Sequence, residues 1–219
     1  NENCELFLKA ENLQPIGAFK IRGAFNMMRI LPEDCQGVVA HSSGNHAQAV
    51  ALAAKSLGIH ASIVMPSNAP RLKKSRTEAA GANVITVGPD SEERKQLAEK
   101  LATDEGLVPI PPYDHPLVAA GPGTAALELY EDAPELDSFY APVSGGGLMA
   151  GCATVLQQVS PRTKLIGVEP EAANDTYLSF AKGERVSVAP PETIADGLRV
   201  RIPGEFTWPI LKSSLDRVE

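Results

Sequence analysis

Leu13-Gln14-Pro15-Ile16-Gly17-Ala18-Phe19-Lys20-Ile21-Arg22-Gly23-Ala24 is the stretch from which the rest of the chain is read. A strand-like run over residues 4–10, centred on Leu6-Phe7-Leu8-Lys9-Ala10, leads into its Pro/Gly turn. Lys20 follows where a helical pattern begins, flanked by Phe19 and Ile21. A lysine held against apolar neighbours at such a turn is partly desolvated, which lowers its pKa and makes the amine a usable nucleophile or base. The competing reading is a lysine that snorkels to solvent from a helix start.

Outward from this turn, strand and helix patterns alternate. Strands are predicted at 37–40, 60–65, 83–87, 107–110, 139–143 and 164–169. Helices are predicted at 20–30, 47–57, 70–80, 91–105, 118–130, 148–159 and 207–215, with Gly58 and Gly81 as stops. Regular alternation implies an α/β protein with mostly parallel sheets in three-layer αβα units. The Pro-rich knot Pro109-Ile110-Pro111-Pro112-Tyr113 marks a linker. We therefore expect a small αβα domain over 37–113, with 1–36 and 114–219 contributing to a second, larger one. Ligands on such sheets gather where strands lead into helices.

Bulk composition narrows the partners. A formal charge of −7 over 219 residues argues against nucleic acid and anionic membranes. No apolar run reaches membrane-spanning length. Cys4, Cys35 and Cys152 are odd in number and widely spaced, which suits a reducing, cytoplasmic setting. The chain opens on Asn1 almost directly at the first strand-like run and stops just after a helix-like segment. This reads as the middle of a longer protein, truncated at both ends.

Three strand-to-helix loops carry chemistry. His41-Ser42-Ser43-Gly44-Asn45-His46 offers backbone N–H groups at a helix N-terminus, suited to a carboxylate; plain N-capping is the alternative. Val143-Ser144-Gly145-Gly146-Gly147-Leu148 has consecutive glycines that let backbone wrap a phosphate. It lacks the Gly-Lys-Ser/Thr of a P-loop, but Gly145, Gly147 and Ala150 fit a dinucleotide fingerprint, with Glu169 near the place of a ribose-binding acid. A dinucleotide-binding oxidoreductase is thus one alternative. Glu169 through Asp175 gathers oxygen ligands for Mg²⁺ or Ca²⁺, or is simply a solvated acidic loop.

Taken together, Gly17–Ala24, Ser42–His46 and Ser144–Leu148 resemble one family. It comprises the pyridoxal-phosphate enzymes of the serine/threonine dehydratase and serine racemase group, with the tryptophan-synthase β-type fold. Ala119–Thr124, Gly167-Val168-Glu169-Pro170 and Pro191–Leu198 extend the likeness in order along essentially the whole chain. The co-occurrence outweighs the dinucleotide reading. The resemblance implies that Lys20 holds pyridoxal 5′-phosphate as a Schiff base, with Phe19 beside the ring and Asn45 on its 3-hydroxyl. Ser144, Gly145, Gly146, Gly147 and Leu148 would cradle the phosphate, with Gly197 near the ring and Tyr113 approaching it. Ser42, Ser43, Gly44, Asn45 and His46 would hold the substrate carboxylate. Glu169, the Ala173 carbonyl and Asp175 match a divalent-cation site.

The implied reaction is α,β-elimination of L-threonine or L-serine to a 2-oxo acid and ammonia. Lys20 acts as base, and Ser43 faces the α-carbon from the other side. A Ser at position 43 leans toward serine racemase or 3-hydroxyaspartate ammonia-lyase activity. The likeness also implies a small-molecule amino-acid substrate and a homodimer or larger homo-oligomer. Ile16 and Ala18 depart from a more usual Thr and Ser, and Ser144 from a frequent Gly. The stretch that usually faces the pyridine nitrogen has no counterpart after Trp208, so an inactive ligand-binding fragment is a further alternative.

Overall fold

The computed structural model describes residues 4–219. Two parallel sheets organise it. The first is built from β1 (Val38–His41), β2 (Ala61–Pro66), β3 (Asn83–Val87) and β4 (Val108–Pro109), in the order β3-β2-β1-β4. The second is built from β5 (Ser138–Pro142), β6 (Lys164–Val168) and β7 (Arg217–Val218), in the order β5-β6-β7. All pairings are parallel, with Val38 opposite Ala61 and Ser138 opposite Lys164. Parallel neighbours need crossovers, and helices supply them. They are α2 (Asn45–Leu57), α3 (Arg71–Ala79), α4 (Ser91–Glu105), α6 (Gly147–Val159) and α8 (Thr207–Ser214). α1 (Lys20–Met28), α5 (Pro116–Asp132) and α7 (Asp175–Lys182) complete the set.

Local chemistry sets the ends. Gly58 closes α2 in the left-handed conformation (φ +68°), which spares the cost a Cβ would carry there. Asp90 accepts from the Glu92 N–H and opens α4. β2 is buried along its whole length, as a central parallel strand covered on both faces should be. Ala24, Met27 and Met28 of α1 share one core with Val50, Ala54 and Ile63. Met149, Leu156, Leu165 and Leu211 anchor the second core. α1 also abuts α5 so closely that a Cβ on Gly121 would collide with the Arg22 carbonyl. Small residues at this crossing fix α1, and hence Lys20, between the two subdomains.

The strand expected over 4–10 does not form: among the described residues Cys4–Ala10 has no ladder partner, and Leu6 and Leu8 are exposed. A strand-like pattern becomes a strand only where another strand accepts its hydrogen bonds; Glu11–Leu13 continues instead as a 3-10 turn. No element was predicted at α7 or β7. Phe180 of α7 packs edge-on against Trp208 of α8 with centroids 6.5 Å apart. That packing supports a helix of mediocre intrinsic propensity. Among the described residues no helix is long and apolar enough to cross a membrane.

Candidate active site

The carboxyl ends of β1 and β5, the segment after β4, the start of α1 and the turn at Asp196–Leu198 all open onto one cavity of about 550 Å³. Its walls include Phe19, Lys20, residues 42–46, Tyr113, residues 144–148 and Gly197. Every residue expected to meet the ring, its phosphate or a substrate carboxylate therefore shares a single space. Glu169, Ala173 and Asp175 stand apart from it.

Lys20 is half-buried as a residue, but its ammonium lies inside the fold and donates to the Pro112 carbonyl at 2.6 Å. The rings of Phe19 and Tyr113 stand 5.2 and 5.9 Å from Nζ. No carboxylate pairs with it among the described residues. Burial in this environment lowers its pKa from 10.5 to about 8, because the charged form loses hydration and gains only one carbonyl dipole and two ring faces.

The Ser42–His46 loop leaves the N-terminus of α2 open toward the cavity: no side chain caps it, and the Ser42 hydroxyl instead accepts from the Gly44 N–H. Free N–H groups and the helix dipole attract an anion there. His46 turns inward, its Nε2 2.8 Å from the Ile110 carbonyl. Burial, reinforced by the nearby Lys20 charge, takes its pKa down to about 3. The imidazole is neutral, donates from Nε2, and ties α2 to the segment that carries Pro112 and Tyr113.

The glycine-rich loop has a distinct geometry. Ser144 is left-handed (φ +54°), the one such non-glycine among the described residues, and Gly146 follows at φ +92°. A Cβ at Gly145 would come within 2.5 Å of the Tyr113 ring, and one at Gly147 within 2.9 Å of the Tyr113 Cβ. Tyr113 thus lies on the loop, and only glycine tolerates the contact. Burial, with Asp114 adjacent, raises the Tyr113 pKa and keeps the phenol protonated.

Asp175 is fully buried, and among the described residues neither of its carboxylate oxygens has a hydrogen-bond partner, nor does Glu169 Oε1. Glu169 Oε2 accepts from the Tyr177 N–H at 2.9 Å. Burial first, then the Glu169 charge, lifts the Asp175 pKa to about 7; burial also raises Glu169. Unpaired buried carboxylates are costly unless a cation or proton neutralises them, so this donor set fits a hard divalent cation. Among the described residues no three His, Cys, Asp or Glu side chains form a metal cluster, leaving backbone oxygen and water to complete a shell.

Several participants were not visible in the sequence. The Pro112 carbonyl that receives Lys20 lies 92 residues away in the chain. Lys73 of α3 forms an ion pair with Asp196, joining the two subdomains at the cavity mouth. His41 and Arg94 also line the wall, with the His41 pKa lowered by burial and by the Arg94 charge. None of these contacts leaves a local motif; His41 heads the Ser42–His46 loop in the sequence, but nothing there gives it a role of its own.

Comparison with known proteins follows the same outline. The family described as pyridoxal-phosphate dependent enzyme matches residues 1–219. The chain is 46% identical over 217 residues to an L-threo-3-hydroxyaspartate ammonia-lyase of Saccharomyces cerevisiae, covering 98% of this chain and 67% of that protein. It is likewise 46% identical over 217 residues to a serine racemase of Schizosaccharomyces pombe, with the same coverage of 98% and 67%. Among solved structures, the processed form of threonine deaminase isoform 2 from Solanum lycopersicum superimposes with a TM-score of 0.92 at 40% identity, over 95% of this chain and 62% of that one. The chain thus spans about two thirds of the length of these relatives.

Proposed function

We infer the function from one premise: the chain belongs to the family of pyridoxal-phosphate dependent enzymes. The reading that the site supports best is α,β-elimination of a hydroxy amino acid, L-threonine or L-serine, to a 2-oxo acid and ammonia. The observation that carries it is Lys20, an ammonium with no carboxylate partner among the described residues, set between two loops that each offer N–H groups to an anion. When bound, pyridoxal phosphate supplies an electron sink for negative charge at the substrate α-carbon.

The residues then divide the work. Lys20 would hold the cofactor covalently, and once displaced by substrate its amine takes the α-proton. A pKa near 8 leaves a useful share of free amine close to neutral pH. The N–H groups of 144–148 would hold the phosphate, and Phe19, Asn45, Tyr113 and Gly197 would surround the ring. Ser42–His46 would orient the substrate carboxylate, so that the α-hydrogen is presented to Lys20. Loss of the β-hydroxyl with a proton releases water and an enamine, which hydrolyses to the 2-oxo acid and ammonia.

Serine racemase and 3-hydroxyaspartate ammonia-lyase activities are the second reading. The Ser43 hydroxyl favours it, because it lines the same cavity as Lys20 and racemisation needs a second acid/base group. The relatives named above are consistent with both readings. Glu169, Asp175 and the Ala173 carbonyl would hold Mg²⁺ or Ca²⁺. A cytoplasmic setting and a homodimer or larger homo-oligomer belong to the same reading. Three free cysteines support the first and family likeness the second; light scattering tests the assembly.

The deciding experiment is the visible spectrum of the protein with pyridoxal phosphate, before and after borohydride, with Lys20→Ala alongside. A yellow band that borohydride removes and the variant lacks is expected, together with ammonia and 2-oxo acid release from L-threonine, L-serine or 3-hydroxyaspartate. Chiral analysis of recovered serine separates racemase from lyase. A wild-type protein that forms no band would overturn the reading.

A further inference from the structure

The glycine-rich loop must turn its N–H groups toward an anion, yet every peptide unit carries a carbonyl pointing the opposite way across its plane. Where those carbonyls go decides whether the loop is preorganised. The Val143 carbonyl accepts from the Gly146 N–H at 3.0 Å, closing a turn. The Ser144 carbonyl accepts from the Thr176 hydroxyl at 3.4 Å. The Gly145 carbonyl receives two donors, the Thr207 hydroxyl at 2.7 Å and the Gly204 N–H at 3.3 Å. Meanwhile the N–H groups of Ser144, Gly145, Gly147 and Leu148 reach no acceptor among the described residues.

Thr207 is fully buried and opens α8. Asp114 fixes it there: its carboxylate accepts from the N–H groups of Glu205, Phe206 and Thr207 at 2.8, 2.9 and 3.2 Å. Gly146 fits beneath it only because it lacks a Cβ, which would meet the Thr207 hydroxyl at 2.7 Å. We propose that Thr207 is a positioning residue for the phosphate end of the cofactor: it holds the Gly145 carbonyl back, so that the loop keeps its free N–H groups aimed at a phosphate. Thr176 plays the lesser part at the preceding carbonyl. Without the Thr207 hydroxyl the Gly145–Gly146 peptide, whose N–H is committed to the Val143 carbonyl, loses its short anchor, and the free N–H groups of Gly145 and Gly147 on either side of it lose their fixed direction. Thr207 touches neither cofactor nor substrate in this scheme.

The inference rests on the proposed cofactor, and the test separates the two. Pyridoxal phosphate and pyridoxal, which lacks the phosphate, are titrated into wild type, Thr207→Val and Thr207→Ser, following the visible band. Thr207→Val is expected to weaken pyridoxal phosphate by about tenfold, the scale of one hydrogen bond to a charged group, and to leave pyridoxal unchanged. Thr207→Ser, which keeps the hydroxyl, stays within about twofold of wild type for both ligands. Thr207→Ala repeats the measurement if valine is not accommodated. An equal loss for both ligands, or none for the phosphate form, would overturn the positioning role. Absence of any band in wild type would instead overturn the cofactor reading, and this inference with it.

Discussion

Lys20 and Arg22 stand two residues apart on the first turn of α1 and have opposite fates. Arg22 donates to Glu11 at 2.8 and 2.9 Å and to Glu128 at 2.6 and 2.7 Å, with Thr124 adding a fifth contact at 2.7 Å. Lys9 closes the cluster on Glu128. The Glu128 and Glu11 carboxylates hold the guanidinium above its ordinary pKa, and Glu128 in turn falls to about 2. Among the described residues Lys20 meets a carbonyl and two rings and no carboxylate, and its pKa falls. The same contrast separates acids: Glu11 and Glu128 are matched, whereas among the described residues no Lys or Arg pairs with the buried Glu169 or Asp175. Matched charges tie segments together, and unmatched ones stand where chemistry or a ligand is expected.

The largest effect expected from this contrast concerns the reactivity of Lys20. Its folded pKa of about 8 lies below the ordinary lysine value of 10.5. Below pH 8 the amine is protonated in both folded and unfolded chains, so the burial penalty on the charge is fully present. Between about 8 and 10.5 the folded lysine has lost its proton while the unfolded one keeps it, and stability rises with pH across that window. The rate at which added pyridoxal phosphate reacts should rise about tenfold per pH unit up to the inflection and level off above it. Stopped-flow absorbance locates that inflection. A break near 10 instead of 8 would remove the contrast with a solvated lysine. Lys20→Arg, always charged, should show no band and lose turnover by about 10³-fold or more.

Arg22→Ala probes the opposite regime. The variant leaves Glu11, whose side chain is only 17% exposed, without its partner. It also unties the segment before α1 from α5. A loss of about 2 kcal/mol is expected by thermal or urea denaturation, while the pH inflection of Lys20 stays in place. Nothing local in the sequence marks this cluster, because the partners of Arg22 lie 11 and 106 residues away. An unchanged melting temperature would mean that the cluster does not tie these segments together.

That difference explains what the sequence made legible. Lys20, Ser42–His46 and Ser144–Leu148 each carry their chemistry within a contiguous turn, where glycines and helix starts have local causes. Helices such as α4 were visible as periodic, capped segments, and the Gly58 stop was visible because a left-handed residue favours glycine. The contacts that aim these turns were hidden. The Thr207–Gly145 bond spans 62 residues and the Asp114 carboxylate reaches 91 to 93 residues ahead. No spacing rule relates such positions. The over-read strand at 4–10 and the overlooked α7 err in opposite directions for one reason: tertiary partners, absent from the pattern, decide whether a marginal segment becomes an element.

The smallest of the three effects falls on the unmatched acids. Removing a partner from Glu11 should destabilise, so removing charge from Asp175 should do the reverse while no cation is present. At about pH 8, cation-free Asp175→Asn is expected to melt above cation-free wild type, because an amide in that buried place carries no charge to leave uncompensated. Wild type should recover with Ca²⁺ or Mg²⁺: at about ten times Kd, binding to the folded state alone adds ~1.4 kcal/mol, about 3–6 °C for a chain of this size. The variant should show little of that rise. Differential scanning fluorimetry with and without chelator measures both arms. A variant that responds to cation as wild type does would move the site elsewhere. A wild type that melts identically in chelator and calcium would mean that Asp175 and Glu169 are neutralised by protons instead, and that matching by a cation is not what this part of the fold requires.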